Sequence, residues 1–172
     1  YAAMERVSDV LREAYADFER IFGRSYGNPF FEEYETDDAD VVLMGMGTLS
    51  TPVKVAIRQM RKQGKKVGFV RMRWFRPFAA DELARSLQRF KAIGVIDRDY
   101  SFGSPYMSGV LTNEVRSALY AAPGPKPPVL GFIAGLGGRE VTVPDVEKVT
   151  DFVYQAAEGK KQPLTRWIGL RE

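Results

Sequence analysis

Four short apolar runs, each followed by a segment with helical spacing, constrain this chain more than any other feature. The runs are Val41-Val42-Leu43-Met44, Val67-Gly68-Phe69-Val70-Arg71-Met72, Ala92-Ile93-Gly94-Val95-Ile96 and Val129-Leu130-Gly131-Phe132-Ile133. Continuous rather than alternating apolar character suits strands covered on both faces. The intervening segments read as helices over Val53–Gln63, Asp81–Phe90 and Gly109–Ala121, with a last one starting at Thr142. In the first of these Val53, Ile57 and Met60 share a face, and Gly64 closes it. Thr51-Pro52 reads as an N-cap with Pro at the first helical position, and Thr142 as an N-cap with Pro144 in the first turn. Strands alternating with helices predict an α/β fold: a three-layer, mostly parallel, Rossmann-like sheet flanked by helices, with right-handed crossovers. The 172 residues are enough for one domain with a real core.

The flanks behave differently. Met4, Val7, Leu11, Ala14, Tyr15, Phe18 and Phe22 recur at three- and four-residue spacing, which predicts a helix over Ala2–Phe22 that Gly23 stops. Phe31-Glu32-Glu33-Tyr34 reads as a short edge strand. From Gly159 the chain is polar until Trp167-Ile168-Gly169-Leu170, and this tail is expected to wrap over the surface or a partner. The expected division is a linking helix and loop over 1–28, the α/β domain over 29–158 and a tail over 159–172. The chain opens at Tyr1, not Met, and reads as a fragment or a trimmed chain.

Two absences limit the chemistry. There is no Cys, so no thiolate nucleophile, disulfide, or cysteine-held zinc or iron–sulfur cluster. There is no His, so the commonest general base and transition-metal ligand are missing, and a Ser-His-Asp triad is excluded. Any chemistry must use carboxylates, Lys, Tyr, Ser or a borrowed cofactor. The formal charge is +3, with no block of like charges, so nucleic acid is not an expected partner. No apolar run approaches the ~18 residues of a membrane span, and membrane contact is not expected either.

Ligands of open α/β sheets sit beyond the carboxyl ends of the strands. Here those ends are Gly45–Ser50, Arg71–Arg76, Asp97–Gly103 and Gly135–Arg139. Gly47, Thr48, Gly137 and Gly138 are rim candidates, because flexible backbone before a helix offers N–H donors to an anion. Arg73, Arg76, Arg98 and Arg139 would add guanidinium forks to the same rim. Gly45-x-Gly47 has Ser50 where the third glycine of a dinucleotide fingerprint belongs, and lacks the Lys-Ser/Thr ending of a P-loop. It therefore reads as a tight strand-to-helix turn. For Gly135–Arg139, ligand contact and a purely conformational role both stay open. Asp97, Asp99 and Glu114 match no calcium-loop spacing. Trp74, Phe75 and Phe78, beside Arg71, Arg73 and Arg76, suggest core packing or a subunit contact over base stacking.

Taken together, several segments resemble a known family. Phe22-Gly23-Arg24-Ser25-Tyr26-Gly27, the run from Val67 to Phe78, Val95-Ile96-Asp97-Arg98-Asp99-Tyr100-Ser101-Phe102-Gly103 and the run from Gly131 to Thr142 are similar, in order and spacing, to the alpha subunit of pyruvate:ferredoxin oxidoreductase (pyruvate synthase). The matching part is that subunit's C-terminal, transketolase C-terminal-like domain. Met46-Gly47-Thr48 departs from the small pair expected there, and Gly103–Gly109 from a shorter glycine loop.

The resemblance implies part of a 2-oxoacid:ferredoxin oxidoreductase, which decarboxylates pyruvate or a similar 2-oxoacid on thiamine diphosphate and forms an acyl-CoA. It implies a domain without catalytic or metal-binding residues that supports assembly and the active site. Thiamine diphosphate, Mg, iron–sulfur clusters and CoA would belong to the complex, none held by this domain alone. The implied partners are the other domains or subunits, ferredoxin through the complex, and further copies in a cytoplasmic oligomer. Interface candidates are Trp74, Phe75, Arg76, Phe78, Asp97, Arg98, Ser101, Phe102 and Gly103. Two other readings compete: a free-standing CoA- or phosphate-binding module at the Arg139 rim, and a subunit of a ferredoxin-independent thiamine enzyme.

Overall fold

The computed structural model describes residues Ala2–Leu170. Tyr1, in the expected linking segment, and the final two residues of the expected tail lie outside the described residues. The elements in order are α1 (Ala2–Phe22), β1 (Phe31–Tyr34), β2 (Val41–Met46), α2 (Ser50–Lys62), β3 (Val67–Met72), α3 (Ala80–Leu87), β4 (Ala92–Asp97), α4 (Val110–Ala121), β5 (Val129–Ile133), α5 (Val143–Ala157) and β6 (Thr165–Trp167). Short 3-10 turns cover Gly47–Leu49, Pro105–Met107 and Leu136–Gly138. No helix of the described residues is long and apolar enough to cross a membrane.

The strands form one sheet in the order β1-β3-β2-β4-β5-β6. β1 runs antiparallel to β3, with Phe31 opposite Met72, and every other pairing is parallel. The two faces carry separate cores. One packs Val41, Leu43, Phe69 and Phe132 of the sheet under Val53, Ile57 and Met60 of α2 and Val146, Val149 and Val153 of α5. The other packs Val42, Met44, Val70 and Val95 under Leu83 and Leu87 of α3 and Leu111 and Val115 of α4. Because successive side chains in a strand point to opposite faces, each apolar run supplies both cores at once. That is why the runs are continuous, and the expected three-layer α/β fold is present.

Several boundaries differ from the sequence expectation; α3, for example, spans Ala80–Leu87 rather than Asp81–Phe90, and three differences bear on the site. β2 extends to Met46, two residues beyond the apolar run. α2 starts at Ser50 rather than after a Thr51 cap, because the 3-10 turn before it runs directly into the helix. Ser50 Oγ donates to the Gly47 carbonyl at 2.9 Å, tying that turn to the helix. The third difference is the tail, which re-enters the fold: Thr165–Trp167 is a sixth strand, paired with Gly131–Ile133. By contrast Thr142 caps α5 as expected, with Asp145 completing a reciprocal capping box.

α1 lies on the α3–α4 side. Leu11 packs against the core there, Arg12 pairs with Glu82 of α3, and its guanidinium sits 4.9 Å over the Phe30 ring. Phe18 packs on Phe22 at 4.6 Å and on Tyr26 at 5.3 Å, while Met4, Val10, Ile21 and Phe22 remain exposed.

Candidate functional site

The sheet reverses its direction of growth at β2. The chain leaves β2 for β3 on one side, then crosses to β4 on the other. The carboxyl ends of β2 and β4 therefore bracket the topological switch point, where open α/β sheets place their ligands. Arg98, just past β4, spans this crevice. Its Nη1 donates to Thr48 Oγ1 at 3.2 Å, and its Nη2 to the Gly135 carbonyl at 3.4 Å. Gly135 has φ +74 and a Cβ placed there would come within 3.0 Å of Arg98 Nε, so both the left-handed turn and the close approach need a glycine.

A surface depression lies beside Arg98, lined by Thr48, Thr51, Pro52, Gly138, Arg139 and Glu140. It brings together the rim candidates Thr48, Arg98, Gly138 and Arg139. Gly47 and Gly137 stand in the flanking turns and do not line it. Arg139 also faces a second depression, shared with Trp167 and Leu170, and its Nη1 donates to the Gly169 carbonyl at 2.7 Å. The arrangement offers two guanidiniums, two threonine hydroxyls and exposed turn backbone, a set suited to an anion.

The other two arginines expected on this rim point elsewhere. Arg73 donates to the Asn28 carbonyl at 2.9 Å and lies 3.7 Å from Glu32, so it fastens the segment before β1. Arg76 stacks 4.1 Å over the Phe75 ring and pairs with Glu114 of α4. Phe75 and Phe78 meet edge-on at 5.9 Å and are half-buried against the α3–α4 core, leaving Trp74 as the exposed aromatic of that strip.

Asp97 corrects the sequence reading most sharply. Placed among the interface candidates, it is 2% exposed and turned into the chain. Its Oδ1 accepts from the Leu111 N–H at 2.9 Å, and its Oδ2 from the Thr112 N–H at 3.1 Å and the Thr112 hydroxyl at 2.6 Å. Asp99 Oδ1 accepts from the Val110 N–H at 2.8 Å. Two carboxylates thus satisfy the free N–H groups that open α4. Burial pushes the Asp97 pKa up to about 6, against the Thr112 hydroxyl; nearby Asp99 adds to the rise, and the two backbone donors oppose it. The signal for this role is present in the sequence as two aspartates ahead of a Gly-started helix, but nothing in it says which way Asp97 faces.

The middle of the β4–α4 loop is presented outward, while Ser108 and Gly109 at its end are buried. Phe102 is 90% exposed, with its ring 4.8 Å from that of Tyr100, and Gly103 is exposed beside it. Ser101 is half-buried, and its N–H donates to the Ser108 carbonyl at 3.1 Å. Among the described residues no three His, Cys, Asp or Glu side chains gather as a metal site.

Comparison with known proteins agrees with this architecture. The family model described as pyruvate:ferredoxin oxidoreductase core domain II matches residues 39–146. The ketoisovalerate oxidoreductase subunit VorA of Pyrococcus abyssi is 40% identical over 98% of this chain and 42% of its own length. The pyruvate synthase subunit PorA of the same organism is 37% identical over the whole of this chain and 42% of its own. The chain thus spans about two-fifths of the length of these curated relatives. Among solved structures, a 2-oxoglutarate:ferredoxin oxidoreductase from Magnetococcus marinus matches 78% of this chain and 21% of its own, with TM-score 0.53 and 18% identity. A split-gene transketolase matches 76% of this chain and 43% of its own, with TM-score 0.52 and 15% identity. These two likenesses show a shared fold, the transketolase-like one. With the family model covering more than half of the chain, this chain belongs to the pyruvate:ferredoxin oxidoreductase core domain II family.

Proposed function

We propose that this chain is the part of a thiamine-diphosphate-dependent 2-oxoacid:ferredoxin oxidoreductase that supports assembly and the active site without holding a cofactor. The family match carries this reading, and relatives named for pyruvate and for ketoisovalerate support a 2-oxoacid as the substrate. The donor set agrees. Iron–sulfur clusters need thiolates, and the sequence has no Cys. A magnesium-bound diphosphate needs clustered oxygen ligands, and among the described residues no three acidic side chains gather; Asp97 and Asp99 serve α4, Glu114 pairs with Arg76 and Glu32 with Lys54. This composition supports a role in positioning the parts that hold these groups.

The reading makes the chain's partners the remaining domains or subunits of a cytoplasmic, oligomeric enzyme that hands electrons to ferredoxin. The exposed Trp74 and Phe102 support contact surfaces on the same side of the sheet ends as the crevice. Purification of the tagged, gene-encoded chain from its host tests it. Co-purifying polypeptides with iron–sulfur absorbance and CoA-dependent reduction of a viologen dye by 2-oxoacids are expected. A chain that isolates without iron, or that decarboxylates 2-oxoacids alone with added thiamine diphosphate, would overturn it.

The Arg98–Arg139 depression supports a second reading, a site for a phosphate-bearing ligand such as CoA. Titration calorimetry with CoA distinguishes it: binding by the chain itself, weakened about tenfold or more by Arg139→Ala, is the expected result. Heat indistinguishable from dilution would remove this reading and leave the first intact.

A further inference from the structure

The two edges of the sheet are finished differently. β1 carries Glu32 and Glu33, engaged by Lys54, Arg71, Arg73 and Arg89. Charges of this kind discourage the addition of another strand. Among the described residues β6 has no such network. The Leu164 carbonyl accepts from the Gly131 N–H at 2.8 Å, and the Ile168 N–H donates to the Ile133 carbonyl at 2.9 Å. Backbone groups alternate between the two sides of a strand, so Leu164, Arg166 and Ile168 bond towards β5. Thr165 and Trp167 turn their N–H and C=O groups away from the sheet, and these find no partner among the described residues.

The flank of that edge is apolar. Tyr106, Met107, Leu164 and Trp167 line a depression with Thr165, and Trp167 packs 5.3 Å from Tyr100. Tyr106, Met107 and Leu164 are exposed. Tyr106 and Met107 have φ of 61° and 53°, a left-handed conformation that residues other than glycine seldom adopt. A local network holds them there: the Met107 N–H donates to the Ser104 carbonyl at 3.2 Å, and Ser108 Oγ bonds to the Pro105 carbonyl at 3.0 Å and Asn113 Oδ1 at 2.6 Å. Strained backbone therefore keeps two large apolar side chains beside an open strand edge. Such strain concentrates where a surface must be pre-shaped for binding.

The edge is also cationic on both faces. On the α4 face, Arg116 Nη2 donates to the carbonyls of Val129 and Leu164 at 3.1 and 2.6 Å. On the α5 face, Arg166 stacks 3.9 Å over Phe152 and donates to Gln162 Oε1 at 3.0 Å. Both arginines are half-buried, and Arg116 Nη1, Arg166 Nε and Thr165 Oγ1 are buried atoms without a hydrogen-bond partner among the described residues. We propose that the outer edge of β6 takes an extended segment of a different polypeptide as a seventh strand, with apolar side chains against Tyr106, Met107 and Trp167 and carboxylates facing Arg116 and Arg166. A second copy of this chain fits less well. The two-fold antiparallel register that uses both Thr165 and Trp167 sets Arg166 directly opposite its own copy, and like charges there are unfavourable. The proposal holds whether or not the oxidoreductase reading does.

Photo-crosslinking and amide exchange on the full gene-encoded chain test it, in its native assembly and after dissociation by dilution. The Thr165 and Trp167 amides should exchange freely when dissociated and become protected about tenfold or more in the assembly, with Arg166 and Ile168 protected in both. A benzophenone side chain at position 107 should crosslink to a different polypeptide, within a segment that mixes acidic and apolar residues. Thr165→Pro removes an outward donor and leaves the inward bonds, so it should raise the dissociation constant about tenfold. Thr165→Val keeps the N–H and should change it less than about twofold. If Thr165→Pro does not fold, Met107→Asp replaces it, setting a like charge against the incoming carboxylates for a similar loss. Equal exchange before and after dissociation, or crosslinks into a second copy or another part of the same chain, would overturn the proposal.

Discussion

The side-chain hydroxyl of Thr112 donates to Asp97 Oδ2 at 2.6 Å, inside the protein, where the last residue of β4 meets the first turn of α4. Both residues are buried, Thr112 fully so. The bond joins the carboxyl end of a central strand to the helix that follows it, and so sets where the intervening loop leaves the sheet.

Replacing Asp97 with Asn tests that junction. An amide offers one acceptor oxygen and turns an NH2 towards donors that the carboxyl group meets with two oxygens, so Asp97→Asn should cost about 1–3 kcal/mol near pH 4. The cost should depend on pH. With its pKa raised to about 6 in the folded protein, Asp97 favours folding most when protonated. That contribution is complete below the unfolded value near 3.8 and is lost as pH rises through about 6. The stability gap between wild type and Asp97→Asn should therefore narrow by up to about 3 kcal/mol from pH 4 to pH 7. Urea unfolding of both proteins across that range measures it, and a gap constant with pH would refute the assignment.

Gly109 is the neighbour that allows the junction to close. A Cβ at this position would lie 2.1 Å from Asp97 Cγ, too close for any side chain. Its φ of −78° is ordinary, so the requirement is one of space alone. Gly109→Ala should destabilise the chain by about 1–3 kcal/mol through overpacking, visible as a lower thermal midpoint. Combined with Asp97→Gly, which also removes the Asp97 Cβ that would lie 2.2 Å away, the second substitution should cost clearly less than it does alone.

α1 is attached through a small number of contacts, chiefly Leu11 on the core and Arg12 with Glu82 and Phe30. Leu11→Ala should make cleavage within Ala2–Phe22 about tenfold faster in limited proteolysis, while the remaining domain keeps its unfolding midpoint within a few degrees. A cooperative loss of both would show that α1 is part of the same folding unit.

Phe102 projects from the β4–α4 loop into solvent. Phe102→Ser should leave stability within about 0.5 kcal/mol, as expected for a surface position. Under the subunit reading the same variant should co-purify with less of its partner. Denaturant titration and quantified co-purification read the two effects separately.

Much of the architecture is legible from the chain itself. The four apolar runs become β2 to β5 because a strand covered on both faces must be apolar at every position, and that pattern is local. The Thr142 cap is legible for the same reason, since its partner Asp145 lies one helical turn away. The absence of Cys and His likewise excludes, from composition alone, thiolate and imidazole ligands among these 172 residues.

Tertiary structure decided what depends on distant neighbours. β6 has three residues in a polar tail and becomes a strand only because β5 presents a free edge to it. Four arginines look equivalent on the rim, but Arg73 reaches the Asn28 carbonyl, Arg76 reaches Glu114, and Arg98 and Arg139 stay beside the crevice. A long side chain ends wherever the fold supplies its counter-charge or carbonyl, and those partners stand tens of residues away in sequence. Asp97 is readable as the end of a strand but not as a buried carboxylate, because its donors arrive with α4 only after the loop has folded back.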